Sequence, residues 1–513
     1  PFSSTGVKRL INILTMIQAV AIKKTNLNNF MPVVLMLEKK PWINELCEYG
    51  EVKGIEITEN KFYELNLYID IIKYIKRNKW VRVLKSYFEF YINRNSIKDN
   101  STNAHNIIAI DQVMQMYKPS VIWKSEFIPP RKITFVSKTH PINQNQLNEI
   151  KVAGMNYISL NQNISRGLDA PVFITRLALS GGKKPKTKEQ KIISSYFDDY
   201  VCEKKHWSEL FNKINANIYL TSHKWDAHPV AAAAAMNERG GISAVFQSSY
   251  YEFPCAYTLI HTDVFFSFAR TAPLIEIKQG SKINYNICIG NLSQSRNKFF
   301  KEDAETLKKQ LQNNGAEKII SYFDQDSTDY QRWGTGHSVT RESYQYLLRK
   351  VLEKKWLGLV IKPKKPKYIR KALGGVNSLL DQALATGRCF IFENHDNFSP
   401  KNHENPPAQS AMASDIAIQE DMVAGTAGVE TTLTGTPTLM MDRYGFKNSQ
   451  FYKLGVGKVV FNNWENLWEN LEKHWNKEPI DGFGDWSQIL DDIDPFRDEN
   501  ASARLTKFLY WLT

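Results

Sequence analysis

The chain has 513 residues, room for roughly two to four domains at about 150 residues each, so one compact core is not expected. Hydrophobic residues at 42% and charged residues at 23% are ordinary for a folded globular protein and exclude global disorder, a collagen-like repeat and an extended coiled coil. Lys and Arg number 66 against 53 Asp and Glu, and the net charge of +13 favours anionic partners: phosphates, nucleic acid or an acidic membrane. The cysteines Cys47, Cys202, Cys255, Cys288 and Cys389 are far apart and form no CxxC pair, which points to a reducing compartment rather than a disulfide framework or zinc finger. No apolar run approaches the roughly 18 to 20 residues that span a bilayer, and the first residues do not form a charged region followed by an apolar one. A cytoplasmic protein is expected, soluble or peripheral on the inner face of a membrane.

In chain order, Val33–Leu37, a polar helical stretch and Val52–Ile57 read as strand, helix, strand. Phe62 to Arg94 spaces large apolar residues three and four apart between basic ones, a pattern for one or two amphipathic helices with a solvated basic face. A second unit takes in VIW at 121–123, ITFVS at 133–137, a polar helix from Gln144 to Val152 and MNYISL at 155–160, an alternation typical of a parallel sheet. Gly181 to Lys188 is a Gly, Pro and Lys cluster suited to an exposed loop. Ile218–Leu220, an Ala-rich helix from Pro229 to Arg239 and Ile242–Phe246 make a right-handed βαβ crossover. Ligands collect beyond the carboxyl ends of such strands, which directs attention to Ser222–His228 and Gln247–Tyr251. DVFFSF (263–268) and NICIG (286–290) complete a first domain over residues 1–292.

Asn291 to Asn314 is polar and helical and reads as an interdomain connection. The strand pattern restarts with KIISYF (318–323), a helix from about Arg341 to Lys355 and LGLVIKPK (357–364). CFIFE (389–393), DIAI (415–418), the segment 422–442 and VGKVVF (456–461) extend it into a second α/β domain over 315–499. Residues 500–513 read as a helix returning to the first domain.

The segment Gly425-Thr426-Ala427-Gly428-Val429-Glu430 follows a strand with small residues, which let a backbone approach a ligand, and opens a helix whose free N–H groups favour phosphate. Glu430, one turn further on, can accept hydrogen bonds from ribose hydroxyls; an ordinary βα turn with an acidic residue near the helix start fits the same residues. The run from Asp415 to Asp442, after a strand ending in Ile361-Lys362-Pro363-Lys364, resembles the carboxyl-terminal domain of GT-B glycosyltransferases, especially bacterial capsule, lipopolysaccharide and teichoic-acid enzymes. The Ala-rich helix and following strand are similar to the segment that leads those families into a Gln-His-Gly loop, although the triplet here is Gln247-Ser248-Ser249. The likeness covers about Ala216 to Asp442.

The resemblance implies an α/β fold of two Rossmann-like domains facing one another across a cleft, the nucleotide sugar held by the second and the acceptor by the first. It implies phosphate contacts from Thr426, Ala427 and Gly428, a ribose contact from Glu430 and further phosphate contacts from Lys362 and Lys364. Ammonium groups at a strand end stabilise a diphosphate leaving group in place of a metal ion. The partners implied are a nucleotide sugar, as substrate and not cofactor, a surface-glycan or lipid-linked acceptor, and an anionic membrane surface.

An inverting transferase needs a group within hydrogen-bond reach of the acceptor hydroxyl to take its proton. Asp226 and His228, just past a strand, are candidates; Asp226 also suits a helix cap. His140 in Lys138-Thr139-His140-Pro141 is a further candidate. Asp324-Gln325-Asp326 has the form that metal-dependent GT-A enzymes use, but two α/β units fit GT-B better, and no metal site is expected. The basic residues are spread over both halves without a nucleic-acid-binding motif, so nucleic acid is not expected as a partner. Nucleotide-sugar epimerases and polyol-phosphate polymerases share the fold and remain alternatives, as does a non-catalytic glycan- or membrane-binding protein.

Overall fold

The computed structural model describes residues 34–38, 43–52, 55–60, 108–111, 123, 126–137, 144–159, 188–224, 228–250, 254, 258–327, 336–393, 405–420, 422, 425–476 and 478–513. The amphipathic stretch Phe62–Arg94, His140, Asp226 and all but the last residue of the Gly181–Lys188 cluster lie outside the described residues.

A short unit near the start pairs β1 (Val34–Glu38) in parallel with β2 (Glu56–Asn60) around the helix Ile43–Val52. Two larger parallel sheets follow. The first contains β3 (Ile108–Asp111), β4 (Ile133–Ser137), β5 (Asn156–Ser159), β6 (Ile218–Thr221), β7 (Ile242–Phe246), β8 (His261–Ser267) and β9 (Lys282–Cys288), in the order β5-β4-β3-β6-β7-β8-β9. Its central strand β3 pairs Ile108 with Ile133 on one side and with Ile218 on the other. The second contains β10 (Lys318–Phe323), β11 (Leu357–Lys362), β12 (Cys389–Ile391), β13 (Ile416–Glu420), β14 (Thr438–Met441) and β15 (Val460–Phe461), in the order β12-β11-β10-β13-β14-β15. Each sheet winds outward from its middle in both directions, so the chain forms two Rossmann-like α/β lobes. In such sheets the crevice for ligands opens beyond the carboxyl ends where the order reverses, between β3 and β6 in one lobe and between β10 and β13 in the other.

The strands are near-continuous apolar runs because both faces are covered by helices. In the second lobe Ile320, Tyr322, Leu359, Ile361, Ile418 and Leu439 pack with Leu347, Leu348, Trp464 and Leu467 on one face. The alternating residues Ile319 and Val360 pack with Leu307, Leu311 and Ala413 on the other. In the first lobe Trp207, Leu210, Phe211 and Ile214, from the 27-residue helix Lys188–Ile214, cover β6 together with the Ala-rich helix His228–Glu238.

Among the described residues the chain crosses between the lobes twice. The outward crossing is the 3-10 helix Leu292–Phe299, and the return ends in the helix Ala501–Trp511, whose Ala501, Leu505 and Leu509 enter the first lobe's core beside Ile289 and Leu292. Buried Asp494 ties the crossings together. It accepts from the Asn291 N–H (2.8 Å) and Gln294 Nε2 (2.9 Å) on one side, and from the Phe496 (2.9 Å) and Arg497 (3.2 Å) N–H groups on the other. Among the described residues no helix is long and apolar enough to cross a membrane.

Candidate functional site

Polar residues gather at the carboxyl edge of the second sheet, beside its switch point. The parallel register sets Phe323 against Lys362, so Asp324, the next residue after β10, stands beside the turn that leaves β11. Asp324 is buried, and both its oxygens are engaged: Oδ1 accepts the Lys364 N–H at 2.6 Å and Oδ2 the Tyr344 hydroxyl at 2.9 Å. Burial pushes this carboxyl up to about 6, against the lowering effect of the Lys364 amide, the Tyr344 hydroxyl and the Lys362 and Lys364 charges.

Lys362, the last residue of β11, is only 7% exposed, and its ammonium donates to the Pro363 carbonyl at 3.2 Å. Burial pulls it from 10.5 down to about 8; the carboxylates of Asp324 and Glu430 oppose that, and the Arg296 guanidinium adds to it. Lys364 reaches the Gln325 side chain at 2.9 Å. Beneath them Tyr322 donates to Glu420 at 2.8 Å and meets Tyr344 edge-on at 5.5 Å, and burial pushes both phenols well above their usual range.

The helix Thr426–Thr432 lies over β13 and β14. The Gly428 N–H donates to the Gln419 side chain, and a Cβ there would stand 2.8 Å from Gln419 Oε1 and 3.0 Å from the Trp486 ring. A Cβ at Gly425 would stand 2.7 Å from the Phe451 ring. Packing alone therefore favours glycine at both positions, whether or not a ligand approaches there. Thr426 and Ala427 are half-buried. Glu430, 9% exposed, receives Arg296 Nη2 at 3.1 Å; the Arg296 Nε is buried with no partner among the described residues.

The first lobe meets this edge through Tyr250, beyond β7. Its ring is buried among second-lobe residues including Met440, Phe451 and Trp486, its hydroxyl bonds the Gln450 side chain, and its N–H donates to Thr426 Oγ1 at 3.2 Å. Gln247 shapes the turn before it, donating to the Ser249 carbonyl (3.1 Å) and accepting from the Phe268 N–H (2.8 Å).

The structure therefore brings Lys362, Lys364, Thr426, Ala427 and Glu430 to one sheet edge and places Gly428 beneath it. His228 opens the Ala-rich helix of the first lobe, 7% exposed and stacked with His223 (4.9 Å) and Trp207 (6.3 Å). Asp226 and His140 lie outside the described residues. Asp326 pairs with Lys365 at 2.7 Å, and among the described residues no group of three His, Cys, Asp or Glu is arranged to hold a metal ion. Sequence reasoning missed Arg296 and Tyr344, reached Tyr250 only as part of the segment Gln247–Tyr251, and met Asp324 only as half of a metal-binding form.

No family model matches the chain, and no curated protein does. Among solved structures the chain is similar to the wall teichoic acid polymerase TagF, with 9% identity over 88% of this chain and 98% of that one and a TM-score of 0.45. It is similar to Anabaena HepE in complex with UDP and glucose (9% identity, 79% of this chain, 99% of that one, TM-score 0.42). It is also similar to the UDP-GlcNAc 2-epimerase from Neisseria meningitidis bound to UDP-GlcNAc (10% identity, 79% of this chain, 98% of that one, TM-score 0.45).

Proposed function

We propose that this chain is a glycosyltransferase that moves a sugar from a nucleotide-sugar donor to a growing surface glycan or lipid-linked acceptor, with no metal required. One observation carries the reading: the Lys362 ammonium is buried at the carboxyl edge of a doubly wound sheet, where the cost of burial outweighs the help of Asp324 and Glu430, so a bound anion would offset what they do not. A diphosphate leaving group is such an anion. Lys362 and Lys364 would neutralise the charge that develops as the sugar–phosphate bond breaks, Thr426 and Ala427 would border the phosphates, and Glu430 would accept the ribose hydroxyls while Arg296 holds it in place. The acceptor would approach from the first lobe, with Asp226, His228 or His140 taking its proton. The charge of +13 suits a protein that meets its lipid-linked acceptor at an anionic membrane surface, at about 1 kcal/mol per basic group near the surface.

The test is a thermal-shift panel of UDP, GDP, CDP and CMP, because a ligand that binds only the folded form raises its apparent stability by about 2.7 kcal/mol at a hundred times its Kd. At least one nucleotide should stabilise the protein, and Lys362→Ala and Glu430→Ala should each abolish that effect while the fold persists. Product analysis with the donor so identified separates sugar transfer from epimerisation or phosphate transfer.

A further inference from the structure

We propose that Asp324 is a positioning residue for the donor's leaving group: it fixes the turn Lys362–Lys364 and supplies the buried counter-charge against which the Lys362 ammonium is held. The proposal rests on the reading of Lys362 as a diphosphate contact. Its ground is geometric. Register places Asp324 one residue beyond the Phe323–Lys362 pair, and its two oxygens are claimed from opposite sides, by the Lys364 N–H of the turn and by Tyr344 of the helix His337–Glu353. A carboxylate held at both oxygens cannot swing away, and the turn it grips carries both lysines.

The charged groups acting on Lys362 come from three other elements: Asp324 after β10, Glu430 on the helix Thr426–Thr432 and Arg296 on the connector. Glu430 is already shared with Arg296, so Asp324 is the carboxylate left to balance Lys362. Asp324 in turn feels Lys362 and Lys364, with Tyr344 bonded to it and to no other carboxylate among the described residues. The Asp-Gln-Asp spelling thus splits in two, Asp324 standing one residue beyond the strand partner of Lys362 and bonded to the turn that follows it, and Asp326 pairing with Lys365.

Because Asp324 is itself an anion, its removal also lifts some repulsion of a bound phosphate, so affinity at one pH is a poor readout. The informative quantity is the pH at which diphosphate binding fails as Lys362 loses its proton. Isothermal titration from pH 7 to 9.5 would use whichever of UDP, GDP or CDP binds the wild type most tightly, with the matching nucleoside as the control for the base. Wild-type affinity for the diphosphate should break downward near pH 8, and the nucleoside should show no such break. In Asp324→Asn the break should move to lower pH by about one unit, the low end of what a neighbouring opposite charge produces. Asp324→Ser, which removes the charge but keeps a hydroxyl beside the Lys364 N–H, should move it the same way by a similar amount, and decides alone if Asp324→Asn does not fold. A break that stays in place in the folded variants, or wild-type binding with no break, overturns the role of Asp324. If no diphosphate binds the wild type at all, the donor-site reading fails first and takes this one with it.

Discussion

Lys362→Met isolates what the buried ammonium does to the fold from what it does for a ligand. In the folded protein Lys362 gives up its proton near pH 8, whereas in the unfolded chain it does so at 10.5. Between those values the unfolded chain binds more protons, so raising the pH favours the fold; below pH 8 the whole penalty is present, and above 10.5 it is gone. A drop of that size corresponds to about 3 kcal/mol. Met fills a similar volume without the charge but forfeits the hydrogen bond to the Pro363 carbonyl, worth about 1 kcal/mol. The net expectation at pH 7 is a variant about 2 kcal/mol more stable, a rise in Tm of about 4–8 °C for a lobe of this size. Scanning fluorimetry at pH 7 and at pH 9.5 reads the difference directly. The gain should shrink at the higher pH, and nucleoside diphosphates should no longer raise the Tm of the variant. Equal destabilisation of Lys362→Met at both pH values would refute the reasoning, because it would mean that the ammonium supports the fold rather than straining it.

Other consequences are open to the same kind of measurement. Asp494→Ala should destabilise the protein by about 4 kcal/mol in thermal or urea unfolding, since one buried carboxylate serves four donors across both chain crossings. Gly428→Ala should cost about 1–3 kcal/mol through the clash with Gln419 and Trp486, and a neutral effect would show that the helix Thr426–Thr432 has room to shift against Trp486. Arg296→Met should leave Glu430 without its cation and weaken nucleotide binding while the unliganded Tm falls by only a few degrees; unchanged nucleotide affinity would remove Glu430 and Arg296 from the site. Asp226→Asn should lower turnover far more than donor affinity if that residue takes the acceptor's proton, and should lower the Tm instead if it only caps a helix.

Most of the two sheets was legible because buried parallel strands are short apolar runs that stand out against polar helices, as in KIISYF and LGLVIK. The central strand β3 was not, because IAID offers four residues and no alternation to separate it from its surroundings. The helix Lys188–Ile214 carries a visible signal, Trp207, Leu210, Phe211 and Ile214 falling on one face, but the Gly-, Pro- and Lys-rich sequence just before it masks where the helix begins.

At the candidate site, the sequence pointed to Lys362 from its place at the end of one strand and to Glu430 from its place on the helix after another, and their roles stand as proposals. It did not point to what pairs with them. Arg296 meets Glu430 across 134 positions, and Tyr344 meets Asp324 across 20, and no local spacing encodes such contacts. The glycines show the same limit from the other side. Gly425 and Gly428 looked like room for a ligand, and the atoms that claim that room, on Phe451, Gln419 and Trp486, become visible only once β13, β14 and the final crossing are assembled.

A structure of the protein with a bound nucleoside diphosphate tests the central claim most directly. The phosphates should lie within hydrogen-bond distance of Lys362 Nζ, with the ribose toward Glu430. Phosphates bound elsewhere, with the Lys362 ammonium still turned to the Pro363 carbonyl, would contradict it.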